Sequence, residues 1–384
     1  MTTDANPKSL DGYRVFVVLQ ERIDSGEYPP ETWLPAERVL ADELGVNRAV
    51  VRSAIHRLAE SGFVTRERGH RPWVCKGATR GQFDRPSPPN IDSRNLAAIL
   101  PQHPVYHASS QILNSINLEL RTREAPFRLM VFNSYDETIE ASAEYERRAL
   151  VEVEESGAAG VIIWHVGLDA TLPQLVRLRN RGIPVIFVDR YPEGFACDFV
   201  GIDNCGSARE AVNYLISLGH RRIAYLTSSE PTTAVVARKC GYLEALRVAG
   251  ITPRPEWIYD SAGGTLPYLK PAVEQFFGSA EPPSVVFTLN DALAHYFIIE
   301  AEAAGYAVPN CVSVMGFDDL ERYLPRPALL TTMHQPFDRI GQQATQLLLR
   351  RLDTPDPVAM PYQHILLSAP LVERGTCLPT GKET

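Results

Sequence analysis

The chain has 384 residues, 45% of them apolar and 22% charged. That is longer than one hydrophobic core usually supports and ordinary for a globular protein, so two to three domains are expected. Its 38 Lys and Arg against 46 Asp and Glu leave a net charge of −8, which taken alone argues against a protein that coats nucleic acid.

The average hides an asymmetry. The first 80 residues hold 12 basic and 11 acidic side chains, and the remainder hold 26 and 35. Residues 48–80 alone carry eight basic groups against Glu60 and Glu67, a local charge of +6 on an acidic body. The first ten residues show no apolar stretch behind a basic start, and no run approaches the roughly 18 apolar residues of a membrane span. A cytoplasmic protein without a membrane partner is the expectation. The six cysteines (75, 197, 205, 240, 311, 377) form no CxxC pair and no Cys/His set at zinc spacing. Reduced thiols, no metal and no cofactor are therefore expected.

Residues 11–75 read as three helices and a hairpin. Tyr13, Phe16, Leu19, Gln20 and Ile23 share one helical face, which Gly26, Pro29 and Pro30 bring to an end. Pro35 is expected to open a second helix over 36–44, in a first turn where its missing N–H costs nothing, and Gly45 to close it. Asn47 can cap a third helix whose apolar positions Val51, Ala54, Ile55 and Leu58 leave Arg48, Arg52 and Arg57 to project elsewhere. Residues 63–67 and 72–75 read as short strands around a turn at Gly69. From Lys76 to about Arg94 the chain turns to Gly and Pro with little apolar periodicity, the mark of a linker.

Beyond the linker, nearly continuous apolar runs at 96–100, 129–132, 161–164, 185–188, 223–226, 285–288 and 312–315 alternate with helical patterns such as 207–218 and 238–249. Strands buried on both faces of a parallel sheet have this character, so an α/β body of βαβ units in two lobes is expected.

A helix that reads the major groove needs long polar side chains near its start. Arg48 and Arg52 lie one turn apart and point from one face, where guanidinium groups can fork onto guanine or phosphate. Arg38 on the preceding helix can hold the DNA backbone, and the loop with His70 and Arg71 can act as a wing. A basic helix is otherwise a solvated face; the short turn at Gly45-Val46 and the basic hairpin favour DNA. The stretch Leu34-Pro35-Ala36-Glu37-Arg38-Val39-Leu40-Ala41, with Gly45-Val46-Asn47-Arg48, Val51-Arg52-Ser53-Ala54-Ile55, Arg57-Leu58, Gly62-Phe63-Val64 and Gly69, resembles the winged helix-turn-helix of GntR-type regulators. The resemblance implies that Arg38, Arg48, Arg52 and the wing around Gly69 and His70 contact operator DNA; Asn47 and Arg71 complete the expected set. Ala49 and Val50 stand where the family usually has small hydroxyl residues, and Pro72-Trp73 where more glycine is usual, which leaves the operator sequence open.

Open α/β sheets bind ligands beyond the carboxyl ends of their strands. The polar residues there are His103 and Tyr106, Asn133 and Ser134, His165, Asp189 and Arg190, Asn290 and Asp291, and Asp318 and Asp319, with Arg238 opening a helix after the 223–226 run. Carboxylates, amides and an arginine suit a polyhydroxylated ligand, and Tyr106 or Trp164 can pack on the apolar face of a sugar ring. Singly, Asp and Asn in such places are often turn formers or helix caps, the expected role of Asp291 and Asp319. Gly219 is read as ending a helix, with His220 and Arg221 favoured by its C-terminal dipole.

Val188-Asp189-Arg190, Gly201-Ile202-Asp203-Asn204, Leu218-Gly219-His220-Arg221-Arg222, Arg238 with Gly241-Tyr242, Asn290-Asp291, Val314-Met315-Gly316-Phe317-Asp318-Asp319, and Thr331-Thr332 with Gln335-Pro336 are similar to the effector-binding core of LacI/GalR-type repressors. That resemblance implies a fold like the periplasmic sugar-binding proteins, ligand contacts at Arg238, Asn290 and Asp318 with Asp189 a weaker candidate, and a chain that crosses between lobes near Gly201, His334 and Leu352. The expected division is then a winged helix-turn-helix domain over 1–76, a linker over 77–95, a sensor over 96–375 and a tail over 376–384. Lobe 1 takes about 96–200 and 336–352, and lobe 2 about 201–334 and 353–375. A GntR-type head on a LacI-type body is the arrangement of the arabinose-repressor subfamily. It implies a homodimer on a two-fold operator, controlled by a sugar effector; repression and activation both fit. No GxGxxG follows a strand and no GxxxxGK[ST] occurs, so an enzyme is not expected.

Overall fold

The computed structural model describes residues 12–24, 26–60, 63–65, 71–75, 95–103, 107–122, 127–136, 138–166, 169–230, 232–261, 269–320, 329–354 and 360–380. The linker, and the candidates Gly69, His70 and Tyr106, lie outside the described residues.

The head holds α1 (Gly12–Asp24), α2 (Glu37–Leu44), α3 (Arg48–Glu60), β1 (Val64–Thr65) and β2 (Trp73–Val74). Val15, Phe16, Leu19 and Ile23 of α1 and Val51, Ala54, Ile55 and Leu58 of α3 are buried, at a spacing of three and four that makes one apolar stripe on each helix. β1 and β2 pair antiparallel, Val64 opposite Val74, and the Trp33 ring meets Trp73 edge-on at 4.7 Å. Pro35 does not enter the first turn of α2 as expected. Ala36 is the N-cap, so the proline sits one residue outside, where it holds the entering chain extended.

The first sheet is built from β3 (Asn95–Leu100), β4 (Arg128–Asn133), β5 (Gly160–Ile163), β6 (Val185–Val188) and β7 (Asp198–Ile202), interleaved with α4 (Ala108–Leu120), α5 (Ile139–Ser156) and α6 (Leu172–Asn180). The second follows: α7 (Asn204–Ser217), β8 (Ile223–Ser228), α8 (Thr233–Val248), β9 (Ile258–Ser261), α9 (Lys270–Phe277), β10 (Val285–Thr288), α10 (Asp291–Ala303) and β11 (Ser313–Met315). The chain then runs through β12 (Thr332–Met333), α11 (Phe337–Asp353), β13 (His364–Leu367) and β14 (Leu371–Val372). The first sheet has the order β13-β7-β6-β5-β3-β4 and the second β11-β10-β8-β9, both parallel, while β12 and β14 form a small antiparallel pair. Central strands such as β5 and β10 are buried at every position, whereas the edge strands β4 and β13 are exposed or only half-buried throughout, with β13 alternating. The apolar runs read from the sequence fall on the central strands β3, β5, β6, β8 and β10 and on the edge strands β4 and β11, while the central strand β7 has no run among them.

One expectation about the chain path is corrected. The third crossing was placed near Leu352, with residues 353–375 in the second lobe. Instead β13 is the sixth strand of the first sheet, paired with β7 in the register Leu367 opposite Ile202, and the crossing follows Leu367. The reason is a buried ion pair. Arg351 in the last turn of α11 donates from Nε and Nη2 to the two carboxylate oxygens of Asp198 at 2.7 and 2.6 Å, and both side chains are 3% exposed. The same guanidinium donates to the carbonyls of Met360 and Pro361, and the Gln363 N–H donates to Asp198 at 2.9 Å. Asp198 opens β7, so this fork steers the returning chain onto the β7 edge.

Removing one partner of such a pair strands a buried charge. Arg351→Met is expected to lower unfolding free energy by about 3–5 kcal/mol in urea titration, and Arg351→Met with Asp198→Leu to recover most of it. Equal losses in the single and double variants would show that the pair does not act as a unit.

Candidate functional site

Two regions gather the functional side chains, and the first is the face of the head. Gly45 takes the left-handed conformation (φ 65°, ψ 29°), which turns the chain sharply between α2 and α3. Asn47 Oδ1 then accepts from the Val50 N–H at 2.9 Å and caps α3, as its position predicted. Arg48 and Arg52 do share one face: both approach Glu37 of α2, at 3.9 and 2.9 Å, and their side chains remain 62% and 57% exposed. Glu37 is the residue that sequence reasoning missed here. Its signal was an acidic group in the first turn of the preceding helix, and hydrogen bonding to it raises the Arg52 pKa. Arg38 and Arg71 are exposed.

The second region lies at the carboxyl ends of the two parallel sheets, and its centre is Arg238. Thr232 caps α8 through its hydroxyl oxygen, so Arg238 sits in the second turn rather than opening the helix, and is 5% exposed. Nε donates to Asn204 Oδ1 at 2.8 Å, Nη1 to the Leu289 carbonyl at 2.6 Å and Nη2 to Gln335 Oε1 at 3.1 Å. Nη2 also lies 3.2 Å from Asp318 Oδ1, and the guanidinium carbon sits 3.8 Å above the Phe317 ring. Gln335 continues the chain by donating to Asp189 Oδ1 at 2.6 Å. Asp189 follows β6 of the first lobe and Arg238 belongs to the second, so Gln335, on the crossing segment, ties the lobes together. Arg238, Asp318 and Asp189 are thus brought into one network, while Asn290 spends its Oδ1 capping α10 through the Leu293 N–H.

Backbone conformation marks the same place. Among the described residues four non-glycine positions have positive φ, and three of them are Asp189 (65°), Asp318 (111°) and Asp319 (62°). Such conformations cost of order 1–3 kcal/mol each and persist where the surroundings impose them. Several buried polar atoms beyond these strands also lack a hydrogen-bond partner: Ser134 Oγ after β4, Trp164 Nε1 after β5, Arg190 Nε after β6, and both amide atoms of Gln111 in the first turn of α4. Each unsatisfied group costs roughly 1–3 kcal/mol, which a polar ligand would relieve. The Trp164 ring stacks on Phe337 at 5.6 Å, fixed for contact with a ring face.

Other expected residues are structural. Asn133 Oδ1 accepts from the Gln102 and Tyr135 N–H groups, and Asp291 accepts from the Thr332 hydroxyl and the Leu320 N–H. Asp319 is held between His334 and Arg374. His165 Nδ1 lies 2.8 Å from Glu146 Oε1, a partner with no local signal because it comes from α5. His220 does not sit on the helix dipole but is buried between Ser284 and the Leu378 carbonyl; Arg221 alone donates back to the Ile216 carbonyl of α7.

The pattern of bacterial regulatory proteins of the gntR family matches residues 13–73, and that of the periplasmic binding protein-like domain matches residues 212–377. The HTH-type transcriptional repressor PurR of Vibrio atlanticus is 30% identical over 236 residues, covering 61% of this chain and 68% of that protein. The chain belongs to the LacI/GalR-type repressor family. Its head is of the GntR type. The HTH-type transcriptional repressor CytR of Escherichia coli K12 is 32% identical over 202 residues, 50% of this chain; the match spans 55% of CytR, about half its length. A LacI family transcriptional regulator from Enterococcus faecium with bound ribose has a TM-score of 0.59 at 26% identity, covering 74% of this chain and 99% of that one. The relatives are regulators and not enzymes.

Burial, partly offset by Arg238 and reinforced by Asp189, pushes the Asp318 carboxyl up to about 7. The folded chain therefore holds this proton where the unfolded chain, with an ordinary value near 3.9, has released it. The resulting stability is present at acid pH and is lost as pH rises from about 4 to about 7. Burial and the nearby Asp318 charge also raise Asp291, which acts in the same direction. Asp318→Asn is expected to flatten this slope and to raise the thermal midpoint above pH 7; a melting profile parallel to the parent's between pH 4 and 8 would contradict the assignment.

Proposed function

We propose that the chain is a cytoplasmic, sequence-specific DNA-binding regulator that represses carbohydrate-utilisation genes as a homodimer on a two-fold operator. A sugar bound between the lobes controls its affinity for that operator. The observation that carries the reading is the Arg238–Gln335–Asp189 chain. A buried arginine, two strained aspartates and several unpartnered polar groups converge from both lobes where hydroxyl groups would find donors and acceptors at matched spacing. The ribose in the Enterococcus faecium regulator supports a sugar as the ligand class. Activation with the same architecture is the second reading, because the sign of regulation depends on where the operator lies.

The mechanism follows from what a ligand must replace. Asp318 and Arg238 offer a carboxylate and a fork of donors from the second lobe, Asp189 and Arg190 the counterparts from the first, and Asn290 retains its amide N–H groups. A sugar hydroxyl that takes over Gln335 or Asp189 alters the bond between the lobes, and with it the Tyr191 backbone contacts to the Thr233 hydroxyl. Only a ligand that prefers one lobe arrangement shifts the equilibrium. In the head, Arg48 and Arg52 supply the groove-facing cations, with Arg38, Asn47 and Arg71, and Gly69 and His70 of the wing, as the further candidates for DNA contact. Tyr106 remains a candidate for ring contact. Glu37 holds both arginines on one face until DNA phosphates compete for them.

The two sites separate experimentally. In a gel-shift titration on the gene's own upstream DNA, Arg48→Ala is expected to cost about 1–3 kcal/mol of operator affinity, and Arg52→Ala to lower the salt slope by about one. Both should keep the thermal shift given by the sugar that a panel screen identifies. Gln335→Ala and Arg238→Gln should do the reverse, binding operator but no longer releasing it with that sugar. Full sugar response in both sensor variants would remove the proposed site, and full operator affinity in Arg48→Ala the proposed DNA face.

A further inference from the structure

Cys205, Cys240 and Glu244 show no metal-binding spacing in the sequence, yet they meet where α7 packs along α8. Cys205 lies in the first turn of α7, Cys240 and Glu244 are one turn apart on α8, and their Sγ and carboxylate atoms all lie within 4.8 Å of one another. Both thiols address the same carboxylate: Cys205 Sγ is 3.8 Å from Glu244 Oε2, and Cys240 Sγ is 3.8 Å from Oε1. The helices can approach this closely because position 241 is glycine; a Cβ there would collide with the Cys205 carbonyl oxygen.

The spacing suits a tetrahedral ion. With metal–sulfur bonds of about 2.3 Å and metal–oxygen bonds of about 2.1 Å, neighbouring ligand atoms stand roughly 3.5–3.8 Å apart. The ligand atoms, within 4.8 Å of one another as they stand, need to close by at most about one ångström. Two thiolates with one carboxylate favour zinc or a softer cation over magnesium or calcium, whose ligands are oxygens. Arg209, 3.1 Å from Glu244, offsets part of the charge that the loaded site leaves over. Cys240 and Glu244 also line an open groove of about 610 Å³, which leaves a fourth coordination position reachable from solvent.

We propose that Cys205, Cys240 and Glu244 form a site for one thiophilic divalent cation, with zinc as its probe. On binding, two metal–sulfur bonds and one metal–oxygen bond form, and each thiol releases its proton to buffer. The ion fastens α7 to α8 beside the bond from Arg238 to Asn204, since Asn204 adjoins Cys205 and Arg238 lies two residues from Cys240.

The full chain, reduced and freed of metal, is titrated with cobalt(II) as a spectroscopic stand-in and then with zinc against a chromophoric chelator. One equivalent of cobalt is expected to give a thiolate-to-metal charge-transfer band that zinc displaces, and zinc is expected to raise the melting temperature. Cys240→Ser, at an exposed position, should abolish both signals; Glu244→Gln should weaken zinc binding, and Cys311→Ser should change nothing. A band that survives Cys240→Ser overturns the site, as does the absence of a band. Conversion of Cys205 and Cys240 to a disulfide in preference to metal uptake, seen as a loss of two hydrogens by mass, overturns it as well.

Discussion

A guanidinium group carries five N–H donors and a charge that it keeps at every accessible pH, so burying one commits everything around it. Arg238 is such a group. It is satisfied by an amide oxygen from α7, a carbonyl beyond β10, a glutamine on a crossing segment, a carboxylate beyond β11 and the face of Phe317. Apart from Phe317 and Asp318, which adjoin, these come from separate stretches of chain. The arginine can therefore be buried only when the second lobe and its crossings are assembled together, and the cost of a mismatch would be an uncompensated charge. The same network leaves Asp318 at the junction of burial and charge, where burial raises its carboxyl and Arg238 partly offsets the rise.

Arg351 and Asp198 perform the corresponding task for the chain path. Their fork closes the first sheet by bringing residues 360–363 to β7, so β13 joins that sheet before the chain returns to the second lobe. Leu367 lies at the end of β13 and packs against the cores of both lobes. Three crossings converge near the residues that hold the lobes together, at Ile202, Gln335 and Leu367. Gln335, which bridges Arg238 and Asp189, stands at one of these crossings. The head solves a simpler problem, since two apolar helical stripes and a tight glycine turn suffice to project Arg48 and Arg52 from one face.

Much of this was legible before any coordinates. Nearly continuous apolar runs marked most strands of both sheets, the edge strands β4 and β11 included and β7 excepted, because a strand covered on both faces admits few polar positions, and the spacing of Val51, Ala54, Ile55 and Leu58 marked the buried side of α3. What was missed shares a physical cause. β13 is an edge strand with alternating exposure and no strong signal of its own. Arg351 resembles any basic residue in the last turn of a helix, and its partner lies 153 positions away. Glu146, Glu37 and the meeting of Cys205 with Cys240 and Glu244 escaped notice for the same reason, since local pattern carries no information about which distant side chain completes a pair.

The sequence by itself determined the division of charge, with −8 overall and +6 concentrated over residues 48–80, and it determined the classes of element that carry each part. Those are properties of composition and periodicity, which act within a few residues. Tertiary structure alone decided that Gln335 joins Arg238 to Asp189, which sheet the last strands join, and that three groups without metal-binding spacing meet across two helices. Each of those outcomes depends on bringing side chains together over long loops. There the geometry of packing, rather than local propensity, selects the partner.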